Sequence, residues 1–130
     1  MIQDGALPLT GARVLVVEDD FIIAMEIEQV LTEAGAQVIG PCQTVNQAPP
    51  MADNGLSAAV LDIRLQSETV VAAAQKLAVL GVPFVFYTGQ LRTDELFADW
   101  PLYEVVQKPA SSQTLVAAIA SICGRRSPRC

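Results

Sequence analysis

Four short apolar runs, VLVV (14–17), AAVL (58–61), FVFY (84–87) and YEVV (103–106), recur along the chain with helical patterns between them. Runs apolar at nearly every position, and rich in β-branched and aromatic residues, suit strands buried on both faces, the habit of parallel sheets. QVIG (37–40) supplies a fifth strand. Between the strands, Ile23, Ile27, Val30 and Ala34 recur at helix spacing, as do Val70, Ala74, Leu77 and Ala78, then Leu115, Ile119 and Ile122. Gly35 and Gly81 stand where the first two of these helices should stop, and Ser111 or Ser112 where the last should begin. Alternating strands and helices predict an α/β fold, a five-stranded parallel sheet covered on both sides. Two connections look weak as helices: TVNQAPPMADNG carries Pro49 and Pro50, and RTDELFADWP allows at most about two turns between Thr93 and Pro101.

The 130 residues suit one domain, expected over residues 12–123, with an N-terminal extension (1–11) and a basic C-terminal tail (124–130). Apolar residues make up 52% and charged ones 17%, so the chain has the means to fold. The most apolar stretch, from Val70 to Tyr87, is interrupted by Gln75, Lys76, Gly81 and Pro83, which argues against a membrane span. The first eleven residues lack a basic region followed by a long apolar one, so no secretory signal is read and the cytoplasm is the expected compartment. Cys42, Cys123 and Cys130, odd in number and widely spaced, suggest neither a disulfide framework nor a zinc site.

Net charge is −6, and three of the eight basic residues, Arg125, Arg126 and Arg129, lie in the tail. So acidic a body repels phosphates, and nucleic acid is not an expected partner. The chain contains no histidine. Ser-His-Asp and Cys-His nucleophile pairs and His-ligated metals are therefore excluded, and the chain cannot itself carry phosphohistidine.

In a doubly wound sheet, functional groups gather at the carboxyl ends of the strands near the point where strand order reverses. Here those ends hold Glu18 and Asp19 after the first strand, Asp62 after the third, Thr88 after the fourth and Lys108 after the fifth. Each has an ordinary reading: acids after a strand cap the next helix, as Asp20 before FIIAMEI is placed to do; Thr88-Gly89 makes a turn; Lys108 is a solvated lysine. Those readings do not explain why all of them fall on one side of the sheet. Clustered carboxylates repel unless protons or a divalent cation neutralise them, and Mg2+ suits hard oxygen donors while leaving a vertex for a phosphoryl oxygen. Asp62 would then attack phosphorus, Lys108 and the metal would balance phosphoryl charge, Thr88 would donate a hydrogen bond and Gly89 would leave room.

Taken together, Glu18-Asp19, Asp62, Thr88-Gly89 and Lys108-Pro109, in that order on those elements, resemble the receiver domain of two-component response regulators over roughly residues 12–123. The resemblance implies a flavodoxin-like (βα)5 sandwich whose phosphoacceptor, Asp62, takes a phosphoryl group from a histidine kinase or histidine phosphotransferase. It also implies that the backbone carbonyl of Arg64 ligates Mg2+ and that the bond before Pro109 is cis; with only residues 124–130 after the last helix, no effector domain is expected to follow. VVEDDFIIAMEIE and the short third helix look most like stand-alone receivers of alphaproteobacterial type. One departure concerns the switch: where the family usually carries Tyr or Phe, three residues before the lysine, this chain has Val105, with Tyr103 two residues earlier on the same strand face. Arg64 and Gln90 occupy positions that tune phosphoryl lifetime in the family.

Such a domain is a signalling switch or phosphate shuttle and not an enzyme in the ordinary sense. The competing reading is a pseudo-receiver, a protein-binding module without phosphorylation, for which Val105 and the Pro49-Pro50 disruption speak. An aspartate-nucleophile hydrolase would need a second acid where Arg64 stands, and no Gly-rich nucleotide loop occurs.

Overall fold

The computed structural model describes residues 7–18, 20–42, 55–62, 74–88, 103–107 and 111–123. Five strands, β1 (Arg13–Val17), β2 (Gln37–Cys42), β3 (Ala58–Asp62), β4 (Phe84–Thr88) and β5 (Tyr103–Gln107), form one parallel sheet in the order β2-β1-β3-β4-β5. Helix α1 (Phe21–Glu33) follows β1, residues 74–79 form α2 before β4, and α3 (Ser112–Cys123) follows β5. The predicted doubly wound α/β fold is the one observed. The proline-bearing connection after β2 and the one between β4 and β5 lie outside the described residues.

The two-residue repeat of a strand divides the core in two. Val14, Val16, Ala58, Val60, Val85 and Val106 pack on one face with α1 and α3. Leu15, Val17, Ala59, Leu61, Phe84 and Phe86 pack on the other with Ala74 and Leu77 of α2. Phe84 and Phe86, two residues apart, meet edge to face with ring centroids 5.2 Å apart.

Both predicted helix stops close by the same device. Gly35 (φ +102°) donates its N–H to the Thr32 carbonyl while Ala36 donates to Leu31; Gly81 (φ +73°) donates to Ala78 while Val82 donates to Leu77. These are Schellman closures, which need a left-handed residue just past the helix. Gly35 is constrained a second time, because a Cβ there would lie 2.9 Å from Thr10 Oγ1. Ser111 caps α3, its hydroxyl accepting from the Thr114 N–H at 3.1 Å.

Three details differ from the expectations. The buried stripe of α1 is Ala24, Ile27 and Leu31, with Ile23 and Val30 only half-buried, because the first turn is apolar all round and periodicity alone does not set its phase. Ala78 on α2 is exposed. Strand β2 runs on past Gly40 through Pro41 to Cys42; it is an edge strand, where a missing N–H is tolerated. In addition, Leu9, from the segment read as an extension, is buried and donates its N–H to the Ala34 carbonyl at 2.8 Å.

Candidate functional site

The strand order reverses between β1 and β3: the chain leaves β1 toward β2 at one edge, and returns on the other side as β3, β4 and β5. Val17 pairs with Leu61, so Glu18 and Asp62, one residue further on, end their strands at the same level. Neighbouring strands lie about 4.8 Å apart. Asp62 pairs with Tyr87, and Thr88 with Gln107, the residue before Lys108. The backbone thus carries Glu18, Asp62 and Thr88 to one edge of the sheet, at the crevice where doubly wound folds bind ligands. Tyr103 and Val105 lie on β5, paired with Phe84 and Phe86. Asp19, Arg64, Gly89, Gln90, Lys108 and Pro109 lie outside the described residues.

Glu18 is 3% exposed, one of two buried polar or charged side chains among the described residues, the other being Ser57. Its Oε2 accepts the Asp20 N–H at 3.1 Å, and its own N–H donates to the Cys42 carbonyl at 2.9 Å. Burying a carboxylate is costly unless hydrogen bonds or a cation compensate. A hard, buried oxygen donor level with the end of β3 fits Mg2+ in donor chemistry. Asp20 instead holds the helix: its Oδ1 accepts the N–H groups of Ile22 and Ile23 at 3.0 and 3.1 Å, capping α1.

Sequence reasoning passed over the neighbours of Glu18 from β2. The register between β1 and β2 shifts after Leu15, so that Cys42, not residue 41, pairs with Val17. Gly40 (φ +93°) and the cis Gly40-Pro41 bond lie in this irregular stretch. A Cβ at Gly40 would meet Cys42 N at 2.9 Å and Val16 O at 3.1 Å, so this close approach admits only glycine without rearrangement. Glu18, Phe21, Ala24, Met25, Glu28, Pro41 and Cys42 line a cleft of about 150 Å³. Burial pushes the Cys42 thiol above its ordinary pKa of 9.0. The glycine in GPC was the one available signal for this bulge. A larger cleft of about 360 Å³ separates α1 from the start of α3, with Tyr87 in its wall.

Solved structures share this fold. A response regulator receiver protein from Sinorhizobium medicae WSM419 superposes with a TM-score of 0.75 at 23% identity, over 90% of this chain and 98% of that one. The receiver domain of a sensor histidine kinase from Pseudomonas aeruginosa PAO1, with a magnesium ion coordinated in its active-site cleft, gives 0.72 at 22% identity over 88% and 99%. The response regulator protein TrrA from Thermotoga maritima, in complex with Mg(2+)-BeF, gives 0.70 at 16% identity over 85% and 98%. No protein-family model matches the chain, and no curated protein matches it. The fold is that of response-regulator receiver domains.

Proposed function

We propose that this chain is a phosphoacceptor signalling domain that takes a phosphoryl group onto Asp62 from a phosphohistidine on a histidine kinase or histidine phosphotransferase, in the cytoplasm, and changes its contacts with a partner protein. The observation that carries the reading is the buried Glu18 carboxylate ending β1 level with Asp62 on β3, at the sheet's reversal point. Glu18, Asp19, Asp62 and the carbonyl of Arg64 would hold Mg2+, which when bound neutralises phosphoryl oxygens. An Asp62 oxygen forms the new bond to phosphorus as the donor's P–N bond breaks, and the imidazole nitrogen leaves with that electron pair and is protonated. Lys108 balances the added charge, Thr88 donates to a phosphoryl oxygen, and Gly89 leaves room for the group. Thr88 then couples to β5, where Tyr103 stands in for the aromatic that Val105 replaces.

The test is intact-mass measurement after incubation with a small-molecule phosphodonor and Mg2+. Wild type should gain one phosphoryl group and Asp62→Asn none; equal uptake by the Asn variant removes Asp62 from its role. Val105 favours a second reading, a phosphorylation-independent interaction module. Partner binding indifferent to both Asp62→Asn and Mg2+ would select it.

A further inference from the structure

Helices α1 and α3 lie side by side on one face of the sheet, and the cleft of about 360 Å³ between them takes no part in the proposed phosphoryl site. Ile23, Val30 and Leu115, buried or half-buried, line it together with the exposed Glu26 and Glu33. The two glutamates stand on one side of α1, two turns or about 10.5 Å apart. No lysine or arginine occurs in α1, and α3 contains no charged residue, so neither helix balances them. An apolar floor with an acidic rim suits arginine, whose methylene stem covers apolar surface while its guanidinium reaches a carboxylate.

The chain carries such a segment next to the cleft. Residues 124–130, GRRSPRC, follow α3 directly and hold three of the eight basic residues; they lie outside the described residues. Strands β1 and β5 are parallel, so the helices that leave their carboxyl ends run in the same direction, and α3 ends at Cys123 on the side of the sheet toward which α1 runs to Glu33. A chain that reverses at Gly124 enters the cleft from the Glu33 end. Extended, residues 124–130 reach about 23 Å, more than the length of about 18 Å of α3, which brings Glu26 within range. Arg125 and Arg129 are then about 13 Å apart, close to the separation of the glutamates, and Pro128 favours the extended form at Ser127. A nucleic acid brings phosphates to the same acidic rim and is repelled. A tethered segment also meets the cleft at an effective concentration that no free peptide matches.

We propose that residues 124–130 fold back into the α1–α3 cleft, where their arginines pair with Glu26 and Glu33. The docked segment withholds this acidic side of α1 from other basic groups. Docking needs no phosphoryl transfer, so its failure leaves the phosphoacceptor reading untouched. The probe is a nitroxide on Cys130 of the full chain carrying Cys42→Ala, in which Cys123 is buried away from the label. The methyl NMR signals of Ile23, Val30 and Leu115 should lose most of their intensity to paramagnetic broadening, while those of Ile39 and Leu77, on the opposite face of the sheet, are spared. Glu26→Lys with Glu33→Lys should abolish the loss, and adding Arg125→Glu, Arg126→Glu and Arg129→Glu to that pair should restore it. Both glutamates are exposed, and circular dichroism checks that each variant folds. The separate triple variant Arg125→Ser, Arg126→Ser, Arg129→Ser alters no described residue and should abolish the loss as well. Broadening that is uniform, that centres on α2, or that is unchanged in the lysine or serine variants overturns the proposal. So does broadening that appears only between a nitroxide-bearing chain and a separate isotope-labelled one, which gives the cleft to a second copy's tail.

Discussion

Val17 of β1 is the registered partner of Leu61 on β3. This pairing, between residues 44 positions apart in sequence, carries Glu18 and Asp62 to a common level, and it fixes what Glu18 should do. We predict that Mg2+ raises the melting temperature of the wild-type chain, since a cation held by the folded site and not by the unfolded chain adds about 2.7 kcal/mol at a hundred times its Kd. Glu18→Gln, equal in size and uncharged, should lose most of that gain at the same Mg2+ concentration. Thermal unfolding with and without the metal measures it, and equal shifts in both proteins would separate Glu18 from the metal.

Asp20 is expected to matter for stability alone. Its Oδ1 accepts two of the orphan N–H groups of α1, so Asp20→Ala should cost about 1 kcal/mol in urea unfolding and Asp20→Asn much less. Phosphoryl uptake should survive in both. An alanine variant as stable as wild type would show that the cap contributes nothing.

Two glycines with positive φ should differ in their tolerance of alanine. A methyl group at Gly40 meets Cys42 N and Val16 O at 2.9 and 3.1 Å, whereas at Gly81 it meets nothing within 4 Å. Both substitutions carry the left-handed penalty of about 1 to 2 kcal/mol. Gly40→Ala carries in addition the displacement of β2 from β1, and we predict a loss larger by at least about 1 kcal/mol. Similar urea midpoints for the two variants would contradict this.

Burial raises the Cys42 pKa above 9.0. Below 9.0 the thiol is neutral in both folded and unfolded chains and stability is unaffected. As pH rises past 9.0 the unfolded chain loses its thiol proton first, so this contribution to stability declines through the folded pKa. The difference in unfolding free energy between wild type and Cys42→Ala should therefore move in favour of the alanine variant beyond 9.0. Parallel curves for the two proteins would show that the thiol titrates as it does in an unfolded chain.

Much of this architecture is legible in local pattern. VLVV and FVFY are apolar on both strand faces and proved central, and Gly35 and Gly81 mark the helix stops because both Schellman closures need a left-handed residue there. The phase of α1 is not legible: Phe21, Ile22, Ile23, Ala24 and Met25 are all apolar, and only packing decides that Ala24 turns inward while Phe21 stays out. Nor does Pro41 end β2, since an edge strand does not need its N–H. At the site, Glu18, Asp62 and Thr88 announce themselves as polar residues ending apolar runs, a local signal. Cys42 beside Glu18 arises from an irregular register between two strands, which no short stretch of sequence records.

The reversal of strand order between β1 and β3 has a consequence for how the acidic crevice comes into being. β1 must close the loop to β3 across the whole excursion through α1 and β2, so Glu18 meets the level of Asp62 only after a distant ladder has zipped. Any opening that parts these two central strands separates Glu18 from Asp62 at once, while fraying of β2 or β5 at the margins leaves β1 and β3 joined. The proposed capacity to accept phosphorus would in this way be tied to the integrity of the sheet's middle.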